Sequence, residues 1–376
     1  MSLARWTTTA FHDEARAWVA EQLADRGMTL TGEWEQPHAR PWSSALRFET
    51  TDGRVWFKVN GPGTVHEASL VRLIDERVPG LVPEVLAVDA ARGWSVSRDG
   101  GPMLRETAPP EQLWPAWEGI VARYAEAQLR LADAGPAVLA AGVAEVSPAT
   151  VPGLLEELTG ELAGVPVDQG GLTAEETDGL VAMQPAVRDW CAELGAIGVP
   201  DSVQHDDLHS GNVCWGGSVA SARIIDWGDT TWGSPLGTML GTLNSIAWHA
   251  GLFGDDGRVD APEVVRVRDA YLEPFTAYVD RAVEDRAGDG GVRAGGRRRR
   301  GGPESPVGRA APAGGQQQCQ GQGRDSGDHE TSAEAEAEGE DGGHEAVPSV
   351  RPPRAALSSQ RSQISHWSQG PRKTCM

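Results

Sequence analysis

Val203-Gln204-His205-Asp206-Asp207-Leu208-His209-Ser210-Gly211-Asn212-Val213, followed by Arg223-Ile224-Ile225-Asp226-Trp227-Gly228-Asp229, is the most informative part of this 376-residue chain. Two acids, two histidines, a glycine and an asparagine crowd between short apolar flanks. That is poor helix material and good loop material. The second segment reads as a short apolar strand that delivers Asp226 into a glycine-containing turn. Asp207 and Asn212 stand five apart on the loop, and Asp226 follows Asn212 by fourteen residues. Three readings compete for them. His205 and His209, with Cys214 nearby, have the residue types of a zinc site, but an i, i+4 pair needs a helix to align it and this loop breaks helices. The polar residues of a turn can also do no more than satisfy one another.

The third reading is chemical. One carboxylate takes a proton from a hydroxyl while an amide oxygen and a second carboxylate hold Mg²⁺, the division of labour of the HxDxxxxN loop and strand-turn Asp in protein-kinase-type phosphotransferases. His205 and Asp207 supply HxD, Asn212 falls at the required offset, and Asp226 stands where the magnesium Asp belongs. Lys58 agrees independently. Residues 1–285 hold 19 arginines and this single lysine, and a compact ammonium is not interchangeable with a planar guanidinium. Leu46 to Glu49, the turn Thr51-Asp52-Gly53 and the run Val55-Trp56-Phe57-Lys58-Val59 read as a β-hairpin that ends near that lysine. In this chemistry a strand lysine reaches the α- and β-phosphates, and a glutamate one helix later aims it. Glu67 lies nine residues on, with Glu76 the weaker alternative. Glu67 also reads simply as a solvent-facing carboxylate near a helix N-terminus.

Taken together, HDDLHSGNVCW (205–215) and RIIDWGD (223–229) resemble the aminoglycoside phosphotransferase family, whose loop commonly reads HGDLHPGN with a downstream IDW. VWFKV (55–59), HEASLVRLIDE (66–76) and PEVLAVDAARGW (83–94) fit the same family, and the similarity spans roughly residues 30–280. The resemblance implies an α+β, bilobal protein-kinase-like fold, with a small antiparallel-sheet N-lobe and a larger helical C-lobe. It also implies ATP in the cleft and phosphorylation of a small-molecule hydroxyl. Asp207 would be the catalytic base, Asn212 and Asp226 the Mg²⁺ ligands, and Lys58, aimed by Glu67, the phosphate-binding lysine. His205 would shape the loop, His209 would line the substrate side, and residues 97–103 would present backbone groups to adenine. Two departures stand out. Asp206 replaces the small glycine common before the catalytic Asp, which puts a second negative charge beside Asp207 unless its side chain points away. No GxGxxG loop exists between the first strands; Arg40-Pro41-Trp42-Ser43-Ser44 occupies that place, so Ser43 and Ser44 are the expected phosphate cover.

Outward from these motifs the periodicity predicts helices over 11–26, one capped by Thr64 and running through Ile74, and others over 113–133, 151–163, 173–194, 236–249 and 262 to about 286. Short strands are expected at 85–88 and 94–96, and Asp99-Gly100-Gly101-Pro102 reads as a linker. The expected organisation is a nucleotide-binding lobe (1–100), a catalytic and substrate lobe (101–285) and a low-complexity, disordered tail (286–376). The tail holds 17 glycines but only eight of Val, Ile, Leu, Met, Phe or Trp among 91 residues, too few to pack a core. It does not resemble the family's helical ending, and a shifted reading frame in a gene favouring Arg, Gly, Ala and Pro codons would account for its composition.

Charge divides unevenly between these parts, with −23 on residues 1–285 and +2 on the tail. A body this acidic repels a phosphate backbone, which argues against nucleic-acid binding, and it attracts cationic ligands, although acidic surface also serves solubility alone. The four cysteines show neither metal nor disulfide spacing, and there is no apolar signal core or membrane span. A monomeric, cytoplasmic enzyme with a small, amino-containing hydroxyl substrate is the expectation. The alternatives are a nucleotide-binding pseudo-kinase with an impaired C-lobe and a protein whose tail mediates its interactions.

Overall fold

The computed structural model describes residues 3–252 and 261–279. The tail expected from residue 286 lies outside them. Helix α1 (Thr9–Ala24) starts where the Thr8 hydroxyl accepts a hydrogen bond from the Phe11 N–H, and its stripe of Phe11, Ala15, Trp18, Val19 and Leu23 is buried. Strands β1 (Leu30–Ala39), β2 (Ser43–Thr50), β3 (Gly53–Asn60), β4 (Val85–Asp89) and β5 (Trp94–Arg98) form one antiparallel sheet in the order β1-β2-β3-β5-β4. Gly53 takes a positive φ of 88° in the β2–β3 turn, which glycine adopts without steric cost. Alternation along β3 sends Val55, Phe57 and Val59 into a core with Phe11, Trp18 and Trp94. Lys58, one residue out of phase, therefore falls on the opposite face.

Helix α2 (Glu67–Arg77) follows β3, but Thr64 does not cap it. His66 occupies the N-cap position without a side-chain cap, and the Thr64 carbonyl accepts from the Glu67 N–H instead. The helix packs its Leu70 and Ile74 into a second hydrophobic cluster, shared with the helical part of the chain. That part contains α3 (Leu104–Thr107), α4 (Pro110–Leu131), α5 (Gly135–Ala140), α6 (Val151–Ala163), α7 (Ala174–Ile197), α8 (Pro235–His249) and α9 (Pro262–Leu272). Thr173 and Glu176 form the capping box that starts α7. The helix expected from 262 to about 286 runs to Leu272, is interrupted by a 3-10 turn at Glu273–Phe275 and is helical again over 276–279, and the rest of it lies outside the described residues. The α+β plan, with an antiparallel N-terminal sheet and a helical second part, is the one the motifs imply. Among the described residues no helix is long and apolar enough to cross a membrane.

Short strands frame the loop that opened the sequence analysis. β6 (Ala144–Val146), β7 (Ser202–Gln204) and β10 (Thr231–Gly233) form one small sheet, while β8 (Val213–Cys214) pairs with β9 (Arg223–Ile224). Beneath them lies a buried polar network. The Tyr271 hydroxyl of α9 reaches Gln128 Oε1 of α4 at 2.6 Å, Gln128 Nε2 donates to the Val203 carbonyl at 2.9 Å, and the His205 N–H donates to the Tyr124 hydroxyl at 2.9 Å. Helix α9 is thus tied to the base of the loop through α4.

Asp206 and Asp226 are the non-glycine residues with positive φ among those described, at 59° and 65°. Only glycine, asparagine and aspartate enter this region readily, which explains why a glycine is common at the first position. The Asp206 carboxylate turns away from Asp207 and takes the Thr231 hydroxyl at 2.6 Å. Burial pushes it up to about 7, against hydrogen bonds from Thr231 and with further help from the Asp229 charge.

Two outcomes are expected. Phe57 is fully buried, so Phe57→Ala should cost about 3–5 kcal/mol in urea unfolding; a loss below about 1 kcal/mol would contradict its place at the centre of the sheet core. An aspartate in the unfolded chain titrates near about 4. Between roughly pH 4 and 7 the folded chain therefore keeps a proton on Asp206 that the unfolded chain has released, and stability falls as pH rises through that window. Asp206→Asn should flatten the dependence of Tm on pH and raise Tm near neutrality. Parallel melting curves for the two proteins would show that the carboxyl is not held neutral by burial.

Candidate active site

Three pieces of chain meet at Lys58. β3 carries it, α2 supplies Glu67, and the turn after β9 supplies Asp226. Lys58 Nζ donates to Glu67 Oε1 at 2.7 Å and to Asp226 Oδ1 at 2.5 Å. Glu67 is itself held on both oxygens: Oε1 accepts the Trp227 N–H at 3.1 Å and Oε2 accepts Asn60 Nδ2 at 2.8 Å. A Cβ on Gly228 would stand 3.2 Å from Glu67 Oε2 and 3.3 Å from Thr64, a tight fit that would press on the carboxylate. Burial opposes the Lys58 charge, yet the two carboxylates outweigh it and hold the ammonium well above its ordinary range. The same ammonium draws Asp226 down to about 2, whereas burial raises Glu67. The solvent-facing reading of Glu67 is excluded, since its side chain is 5% exposed.

The loop from His205 to Asn212 forms the other edge of the site. His205 is buried and its Nε2 donates to the Ile225 carbonyl at 2.8 Å. Its ring packs edge-on against Trp227 at 4.6 Å, and burial depresses its basicity. The residue therefore pins the loop to the Asp226 turn, as the motif suggests. Asn212 Nδ2 donates to the Asp207 carbonyl at 2.9 Å and to Asp207 Oδ2 at 3.1 Å. His209 Nδ1 accepts the Gly211 N–H at 2.9 Å, which points Nε2 towards Asp207 Oδ2 at 3.6 Å. The two contacts on the Asp207 carboxylate, from Asn212 and His209, both fall on Oδ2. Asp207 Oδ1 makes no hydrogen bond among the described residues, and the side chain is half-exposed.

Ser43 and Ser44 lie in β2, just past the turn. Ser44 is fully buried, with its hydroxyl donating to the His38 carbonyl at 3.0 Å and accepting Gln36 Nε2 at 2.9 Å. Ser43 meets His38 Nε2 at 3.3 Å. The structure thus brings Lys58, Glu67, Asp226, Asp207, Asn212, His205 and His209 together, and engages Ser43 and Ser44 inside the β1–β2 hairpin. That turn is fastened to the end of β3 by the Gly61 N–H on the Trp42 carbonyl at 2.6 Å. In the 97–103 connector the Pro102 carbonyl is taken by the Trp215 N–H at 2.7 Å and the Gly101 N–H by Asp99 Oδ1 at 3.1 Å. Asn60, Tyr124, Gln128 and Thr231 support the site without any motif announcing them. Only Asn60, polar and directly after the lysine strand, carried a signal.

Oxygen donors suited to a hard divalent cation are present. Asn212 spends its amide N–H groups on Asp207, so its Oδ1 makes no hydrogen bond among the described residues, and neither does Asp226 Oδ2. His205 spends Nε2 on the Ile225 carbonyl and His209 spends Nδ1 on the Gly211 N–H, so the two rings do not present a shared pair of nitrogens. A pair of protein oxygens suits Mg²⁺, which completes its shell with water and phosphate.

The profile of the phosphotransferase enzyme family (APH) matches residues 34–237, more than half of the chain. No curated protein matches it. Similar solved structures include macrolide 2'-phosphotransferase MphH from Brachybacterium faecium, 16% identical over 75% of this chain and 99% of that one, with a TM-score of 0.40. A choline/ethanolamine kinase family protein from Mesorhizobium loti is 21% identical over 75% of this chain and 88% of its own, also at 0.40. Aminoglycoside phosphotransferase APH(3'')-Id from Streptomyces rimosus, solved with ADP and streptomycin, is 20% identical over 71% and 97%, again at 0.40. At these identities and TM-scores the neighbours decide nothing about substrate. With the family profile spanning the sheet, the Lys58 strand, the Asp207 loop and the Asp226 turn, the chain belongs to the phosphotransferase enzyme family.

Proposed function

We propose that the protein transfers the γ-phosphoryl group of ATP to a hydroxyl of a small molecule. The observation that carries this reading is the Lys58 ion pair with Glu67, placed against Asp226, beside a loop on which Asp207 Oδ1 makes no hydrogen bond among the described residues. Lys58, fixed by Glu67, supplies positive charge for the α- and β-phosphates. Asn212 Oδ1 and Asp226 are the oxygens that would hold Mg²⁺, which when bound neutralises charge on the transferring phosphates.

Asp207 Oδ1 is the acceptor for the substrate proton. The bond from the γ-phosphorus to the bridging oxygen of ADP breaks, a bond from that phosphorus to the substrate oxygen forms, and the hydroxyl proton passes to Asp207. Because such transition states are loose, positioning and charge neutralisation contribute more than strong base catalysis. Asn212 and His209 contribute by fixing the carboxylate so that one oxygen remains available. The net charge of −23 on residues 1–285 supports a small acceptor over a nucleic acid.

Asp207→Asn should lower MgATP turnover with a panel of hydroxyl acceptors by about 10²-fold or more. Nucleotide affinity should stay within a few-fold, since the carboxylate does not touch Lys58. Turnover retained in the variant would remove Asp207 from this role.

A further inference from the structure

The loop that carries Asp207 has a second flank. The groups around Lys58 come from the sheet, α2 and the Asp226 turn, whereas on the other side a cavity of about 200 Å³ opens among α3, α4, α8 and Ser210. Leu104, Trp117 and Ile246 make its walls apolar, and Arg105, Ser210 and His249 supply the polar atoms. Among the described residues none that lines it is acidic and none comes from the N-terminal sheet. Ser210, in its wall, is three residues beyond Asp207 on the same loop.

Arg105 is seated directly on that loop. Its N–H donates to the Ser210 carbonyl at 3.2 Å, and its guanidinium lies so close over Gly211 that a Cβ there would stand 2.7 Å from Nη1. The guanidinium has five N–H donors. Among the described residues they make no hydrogen bond, and the nearest carboxylate, Glu106, is 4.0 Å away. A planar fork with open donors at the mouth of an apolar cavity matches a carboxylate. His249 adds no competing negative charge; its Nδ1 donates to the Ser245 carbonyl at 2.7 Å. The volume is below the roughly 300–1,000 Å³ of pockets for drug-sized ligands, so it takes one ring or a short chain.

We propose that this cavity is the acceptor subsite and that the acceptor is a hydroxycarboxylate: an apolar body whose carboxylate pairs with Arg105 and whose hydroxyl faces Asp207. This rests on the phosphotransferase reading above. The transfer keeps its balance, with the γ-phosphorus exchanging its bond to ADP for one to the hydroxyl oxygen and the proton going to Asp207. The net acidity of the body attracts cations at long range, but selectivity is set by the groups that touch the ligand, and here those are a guanidinium and an imidazole.

Three probes of equal chain length isolate the charge: ω-hydroxyhexanoate, hexanediol and ω-aminohexanol. With the full chain and MgATP, hydroxyhexanoate should show a kcat/KM about 10-fold or more above the other two, the size expected of a charge-assisted hydrogen bond. In Arg105→Gln that preference should collapse through KM, with Arg105→Lys restoring part of it. Calorimetric binding of the same probes in the presence of MgADP separates the two readings. Arg105-dependent binding of hydroxyhexanoate without phosphate transfer keeps the pocket and removes the phosphotransferase reading. Transfer that favours aminohexanol, or an anion preference that survives in Arg105→Gln, overturns the pocket and leaves phosphotransfer standing. Failure of all three probes to bind also overturns it.

Discussion

A mostly buried ammonium between two carboxylates is the constraint around which this protein is organised. A charge withdrawn from water is costly unless it is paired and hydrogen-bonded, so Lys58 can occupy its position only if Glu67 and Asp226 are delivered to it together. That requirement reaches three separate stretches of chain. β3 must keep its alternation, α2 must start at Glu67, and the turn after β9 must fold back so that the Trp227 N–H and Asp226 carboxylate both face the sheet. Glu67 is the junction, since it accepts from Lys58, Asn60 and Trp227 at once.

Beside this junction the loop from His205 to Asn212 is held at its base. Tyr124, Gln128 and Tyr271 bind its base through buried hydrogen bonds, and His205 bolts it to the Ile225 carbonyl. Rigidity there is what allows one oxygen of Asp207 to remain unengaged. Asp206 shows how local strain is accommodated. A left-handed aspartate replaces a glycine, and its carboxyl is drawn onto Thr231 rather than towards Asp207, which keeps a second charge out of the reacting edge.

Much of this was legible in the residues, for identifiable reasons. A lone lysine on an alternating strand, a glutamate nine residues on, and the HxDxxxxN and IDW spacings are local patterns whose chemistry demands fixed residue types. α6 and α7 followed from periodicity, and the Asp52-Gly53 turn from its composition. What depends on tertiary contact was not legible. β1 carries Gly32 and Pro37 and lies half exposed at a sheet edge, where alternation is weak and proline is tolerated. Thr64 looked like a cap because threonine favours that position, but the loop places His66 there and engages the Thr64 carbonyl instead. The hydrogen bonds of Ser43 and Ser44 within the β1–β2 hairpin likewise depend on strand pairing that their position in sequence does not show. Arg105 had no motif at all; its place beside the His205–Asn212 loop comes from the meeting of α3 with that loop.

Nucleotide affinity tests the central claim most directly, because Lys58 is assigned to phosphate and the assignment does not depend on the acceptor. Calorimetric titration of the full chain with MgADP should give saturable binding that Lys58→Met weakens by about 10-fold or more, the scale of a lost charge-assisted hydrogen bond. Equal affinity in the two proteins, with the variant's fold verified by its melting curve, would contradict the account.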